Sequence, residues 1–162
     1  GRKMISVAGT GWYTNIDHGR RHQPLSLMSM NDNLKFSKHK EITGEGYPKY
    51  VNFDAIDVSF TDSIPSDYIG YMGVPISFLN KYNPDQFEII ALGIVGSIVF
   101  SSETKMEILK NGQSTGKYTV NAKGTLFKKW SEKFDSNQPA FRDVTTGEYY
   151  QSIYARVIIK RK

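Results

Sequence analysis

The 162-residue chain contains no cysteine. Disulfides, thiolate metal sites and cysteine nucleophiles are thereby excluded. It also lacks a long apolar run. The longest candidate, residues 87–102 around "IIALGIVGSIVFSS", contains Glu88, Gly93 and Gly96 and falls short of the roughly 20 apolar residues a membrane span needs; it reads as one or two buried strands. No cationic start leads into an apolar segment with a cleavage site, so nothing marks the chain for secretion and the cytoplasm is the expected compartment. Methionine is missing from position 1, where Gly1 stands, which suggests a piece of something longer.

What is present fits one soluble domain: 39% of residues are hydrophobic and 23% charged, enough for one core of ordinary size. The net charge of +5 is unevenly spread, at +4 over residues 1–49, −5 over 50–100 and +6 over 101–162. Two basic segments flanking an acidic one suit a protein with one face turned to phosphates, and they suit ordinary surfaces equally well.

Strand signals outnumber helix signals. Residues 3–8 and 11–15 mix β-branched and aromatic residues around a Gly9/Gly11 kink, and "LSLMSM" (25–30) alternates as a half-buried strand does. Residues 31–49 read as a long polar loop, "AIDVSF" (55–60) as a strand, and Pro75 as the first turn of a helix reaching about Tyr82. Asn111-Gly112 is suited to a type I′ turn between strands 105–110 and 113–120. "EYYQSIYARVIIKRK" (148–162) reads as a terminal strand with a basic end.

Few motifs carry chemistry. The lone "GTG" at residues 9–11 precedes an aromatic strand, and a bend explains it better than a dinucleotide fingerprint. His18 and His22 stand four apart beside Asp17, but Gly19 lies between them and no third ligand is near, so no metal is expected. Asp54 and Asp57 read as a solvated strand face, and no catalytic triad has a local signature. Arg20 and Arg21, flanked by His18 and His22 and preceded by Trp12 and Tyr13, are the group best suited to nucleic acid. Arginine forks phosphate or guanine, and exposed aromatic faces stack on unpaired bases.

Four blocks, "WYTNIDHGRRH", "YPKYVNFDAIDV", "IPSDYIGYMGVPISFLNKYNPDQFEIIALG" and "YARVIIKRK", occur in that order. Together they resemble the C-terminal half of the EcoRI-type family of adenine-specific DNA methyltransferases, with residues 101–150 matching loosely. The resemblance implies methyl transfer from S-adenosylmethionine to adenine N6 in a restriction–modification setting, on a base extruded from the duplex. It also implies a strand-rich α+β fold in which the last strands of a Rossmann-like sheet (1–30) precede a target-recognition region (31–162). Trp12, Tyr13 and Asn15 would meet the extruded base, with Asp17 shaping the strand end. His18, Arg20, Arg21 and His22 would contact DNA beside it, and Lys81, Tyr82 and Asn83 form a second candidate cluster, unless "NPDQ" is only a cap and turn. Lys128, Lys129, Arg156, Lys160, Arg161 and Lys162 would supply general attraction to DNA.

The family's glycine-rich cofactor loop and its Pro-Pro tetrapeptide are not found in this sequence. S-adenosylmethionine is therefore expected to bind the complete enzyme and not this chain alone, and no catalytic residue is assigned. The expected partners are double-stranded DNA and, in an alternative reading, a separate N-terminal catalytic half whose sheet this chain completes.

Overall fold

The tightest local instruction in the chain is Asn111-Gly112, and both residues adopt the positive φ that a type I′ turn requires, at 52° and 74°. The turn joins β4 (Lys105–Lys110) to β5 (Gln113–Val120). The structure, a computed structural model, describes residues 19–93, 104–120, 125–130, 140–153 and 155–162, and for Arg20 and Arg21 the backbone only. The strands expected at 3–8 and 11–15 lie outside the described residues.

Two sheets organise the molecule. Sheet A has the order β1-β2-β9-β3, from Ala55–Asp57, Tyr71–Pro75, Arg156–Arg161 and Phe87–Gly93. Its β1–β2 pair is parallel and the others antiparallel. Sheet B is antiparallel, in the order β5-β4-β7-β8-β6, with β6 at Phe127–Lys129, β7 at Ala140–Asp143 and β8 at Tyr149–Ser152. The architecture is α+β and strand-rich, as expected.

Sheet A packs apolar side chains on both faces. On one, Ile56, Met72, Val74, Val157 and Ile159 pack with Phe78, Ile64 and Phe87. On the other, Ala55 and Ile158 meet Tyr50 and Leu126 at the junction with sheet B. Phe78 and Phe87 meet edge to face, their ring centroids 5.5 Å apart. Each such fully buried side chain contributes roughly 1.5–3 kcal/mol relative to exposure.

Several local expectations change. "LSLMSM" is not in a sheet: the chain is irregular up to Ser29 and α1 (Met30–Phe36) begins there. Ser29 Oγ accepts from Asp32 N–H at 3.1 Å and donates to the Asp32 carboxylate at 2.8 Å, a reciprocal cap that starts the helix. The expected loop 31–49 consequently holds α1 and α2 (Lys40–Glu45). The expected helix after Pro75 is a tighter 3-10 segment, Ile76–Lys81, and Pro75 itself ends β2. β3 is not buried: among the described residues it is an edge strand that exposes Ile89, Ile90 and Leu92, and residues 94–100 lie outside the described residues. The expected single terminal strand is two, β8 in sheet B and β9 in the middle of sheet A. The alternation runs on through 148–162 while the chain changes sheets, which periodicity cannot reveal.

Candidate nucleic-acid interface

Asp57 sits on β1 facing sheet B and is fully buried. Its Oδ2 accepts from Lys128 Nζ of β6 at 2.7 Å, and its Oδ1 accepts from Arg156 Nε of β9 at 3.0 Å and from the Tyr50 hydroxyl at 2.6 Å. One carboxylate thus ties both sheets together. Burial alone would raise the Asp57 pKa, but Arg156 and Lys128 outweigh it and hold the carboxyl below its usual range. Burial, and then the Asp57 charge, push the Tyr50 hydroxyl well above the usual tyrosine value. Gly73 of β2 makes room for this arrangement, because a Cβ there would run into the Tyr50 ring.

This cluster corrects two expectations. Asp57 is no solvated strand residue, and Lys128 and Arg156 do not join a DNA-facing surface, since their cations are held inside against Asp57. Nothing in "NFDAIDV" or "FKKW" announces the pairing, which spans 71 residues between Asp57 and Lys128.

Asn83 is likewise internal at 2% exposure. Its Oδ1 accepts from Asp85 N–H at 2.8 Å and its carbonyl accepts from the amides of Gln86 and Phe87, so "NPDQ" is a turn. Tyr82 is half-buried, with its ring centroid 6.0 Å from that of Phe78. Lys81 is exposed at the rim of an open cleft of about 320 Å³, opposite His39 and Asp62. Asp62 is engaged by Lys38 Nζ at 2.6 Å and His39 Nε2 at 2.9 Å, and the Lys38 bond leads in holding its carboxyl below the usual range.

The remaining expected cations face solvent. Lys129 lies 3.8 Å from Glu148. Lys160, Arg161 and Lys162 end the chain, all exposed and without an ion pair to an acidic side chain among the described residues. Lys160 Nζ stands 5.8 Å from the centre of the half-exposed Tyr71 ring, its cross-strand neighbour. The Lys162 amide donates to the Gln86 carbonyl at 3.0 Å, which anchors the basic end to the segment before β3. Gly19–His22 forms a 3-10 turn that carries the backbones of Arg20 and Arg21, and His22 is exposed. Trp12, Tyr13, Asn15 and His18 lie outside the described residues.

The cleft beside Lys81 does not fit S-adenosylmethionine. Asp62, the carboxylate in the cleft that would take a ribose diol, is already bridged by two partners, and no glycine-rich turn faces the cleft.

The chain belongs to the adenine-specific methyltransferase EcoRI family, which matches residues 1–162. It is 46% identical over 90 residues to the type II methyltransferase M.EcoRI of Escherichia coli, a match that covers 56% of this chain and 25% of that protein. Over 90 residues it is 39% identical to the type II methyltransferase M.MpnI of Mycoplasma pneumoniae, covering 56% and 25%. The match thus spans about a quarter of the length of these relatives. No solved structure matches the chain.

Proposed function

We propose that this chain is the DNA target-recognition part of an S-adenosylmethionine-dependent adenine-N6 DNA methyltransferase of the restriction–modification type, and that by itself it transfers no methyl group. Family membership supports the parent activity. The observation that carries DNA recognition is the run of three exposed cations, Lys160 to Lys162, at the end of the central strand of sheet A. Cations with no carboxylate partner are available to displace condensed counterions from a duplex. In the complete enzyme S-adenosylmethionine supplies the methyl group. In this reading residues 31–162 form the recognition region, the segment before them joins the catalytic sheet, and Trp12, Tyr13 and Asn15 meet the extruded adenine.

The test is fluorescence anisotropy of a labelled mixed-sequence duplex titrated with the chain at several salt concentrations. Binding is expected at about 50 mM salt and should fall steeply towards about 200 mM, with a log–log slope near −0.9 per neutralised phosphate. Absence of binding at the lower salt overturns the reading.

A second reading has its own support. β3 exposes Ile89, Ile90 and Leu92 on a sheet edge without a strand partner on its outer side among the described residues. Such an edge suits pairing with a separate catalytic half. Co-elution of the chain with that half, expressed separately, and its loss on Ile90→Lys, would favour this reading.

A further inference from the structure

An eight-residue strand ordinarily hides one face. β5 hides neither: each residue from Gln113 to Val120 is exposed except Thr119, which is half-buried, and the exposed set includes Tyr118 and Val120 at 53% and 54%. The strand stays in place through its ladder with β4 and through Thr115 Oγ1, which donates to the Ile108 carbonyl at 2.5 Å. A further bond runs from the Ser114 hydroxyl to Glu107. Beyond β4 it has no neighbour in the sheet among the described residues, so β5 is the edge of sheet B, while β4 pairs with β7 from Met106 to Leu109 and only the hairpin tip, Lys110 to Gln113, has no ladder with β7.

Its charge is one-sided. Glu107, the sole acid between residues 105 and 120, is 3% exposed and held by Arg142 Nη2 at 2.5 Å. Lys105, Lys110 and Lys117 are exposed, and none has a carboxylate partner among the described residues. The acid is turned inward and neutralised while three cations remain outside. The cross-strand register then sorts the side chains. Lys110 lies opposite Gln113 and Ile108 opposite Lys117, so Lys110, Gln113 and Lys117 share one face near the tip. Between the pairs Ile108/Lys117 and Leu109/Ser114 the ladder skips Thr115 and Gly116, a bulge in which Gly116 takes φ 66°.

The major groove of B-DNA, about 12 Å wide and about 8.5 Å deep, admits two strands side by side, and the hairpin tip together with the exposed edge strand β5 offers that width. Lysine there takes guanine O6/N7 or flanking phosphate, and glutamine takes adenine N6/N7. We propose that the β4–β5 hairpin is the element that enters the major groove of double-stranded DNA, with Lys110, Gln113 and Lys117 turned to the base edges and adjacent phosphates. The assignment rests on the reading that the chain binds DNA. The outer edge of β5 is also a template for strand addition by a protein, but three cations with the only acid withdrawn favour a polyanion.

The experiment compares two charge-matched double variants of the full chain on a duplex: Lys110→Gln with Lys117→Gln in the hairpin, and Lys35→Gln with Lys40→Gln at α1 and α2. The hairpin pair is expected to lower affinity by about tenfold or more at about 50 mM salt and to flatten the log–log salt slope by about two, with the α-helical pair nearly unchanged. Because the chain has no cysteine, Gln113→Cys creates a unique attachment point for iron–EDTA. The tethered reagent is expected to cut both strands in the pattern of a major-groove source. All four substituted positions and Gln113 are exposed, and far-ultraviolet circular dichroism checks that the variants keep the fold. Equal affinity and slope for the two double variants, or a minor-groove pattern or no cutting from position 113, overturns the assignment while leaving DNA binding by the chain intact. A parent chain that binds no duplex overturns both.

Discussion

Lys128 and Lys129 are adjacent in sequence and opposite in fate. Lys128 points into the junction of the two sheets and meets Asp57 at 2.7 Å; Lys129 points outward, its side chain 75% exposed. The same contrast separates whole regions. At the junction two cations, one carboxylate and a tyrosine are withdrawn from water and hold sheet A to sheet B. On the β4–β5 hairpin the carboxylate is withdrawn and the cations are left outside. Basic residues in this chain are therefore placed in two ways, and strand parity together with the position of the nearest acid decides which.

The largest effect should come from removing the shared partner at the junction. Asp57→Ala leaves Lys128 and Arg156 buried beside no carboxylate and is expected to cost about 3–5 kcal/mol, read by urea denaturation. A loss below about 1 kcal/mol would mean that the junction is held by apolar packing alone. Gly73→Ala attacks the same cluster by volume, since the new methyl group must displace the Tyr50 ring, and about 1–3 kcal/mol is expected from overpacking.

The hairpin should respond less in stability and more in binding. Asn111→Ala places an alanine at φ 52° and is expected to cost about 1 kcal/mol, with the hairpin amides losing hydrogen-exchange protection before the junction does. Lys129→Ala should change stability by about 0.5 kcal/mol or less, because its 3.8 Å pair with Glu148 is solvated.

Acid provides a separate probe of the comparison. The folded pKa of Asp57 lies below its unfolded value, near 4. Its contribution is therefore complete above about pH 4 and disappears as pH falls from there through the depressed folded value. Asp57→Asn should flatten the acid limb of a stability profile, and the hairpin double variant should leave it unchanged. Tyr50 has the opposite sign. Its raised value means stability that is complete below about pH 10 and lost as pH climbs above it.

Local features were legible where local physics governs. Asn111-Gly112 specified its turn because only certain residues tolerate two consecutive positive φ values. Ser29 and Asp32 hold a helix-start signal in plain view, but the strand-like alternation of "LSLMSM" obscured it. The two short helices that follow are too brief to show an apolar period. Of the expected site residues, Lys129 and Lys160 to Lys162 face solvent, whereas Lys128, Arg156 and Asn83 are occupied within the fold. Residue type reveals which chemistry a side chain can perform and leaves open what lies across from it.

By itself, then, the sequence determined the family, the strand-rich character, the absence of thiol chemistry and the β4–β5 turn, since each follows from residue identity or from neighbours a few positions apart. Only the tertiary structure decided that the last strand lies in the middle of sheet A, that Asp57 is buried, and which lysines reach water. Those outcomes depend on contacts between residues 71 and 99 positions apart, and a buried charge is tolerable only where such distant partners converge.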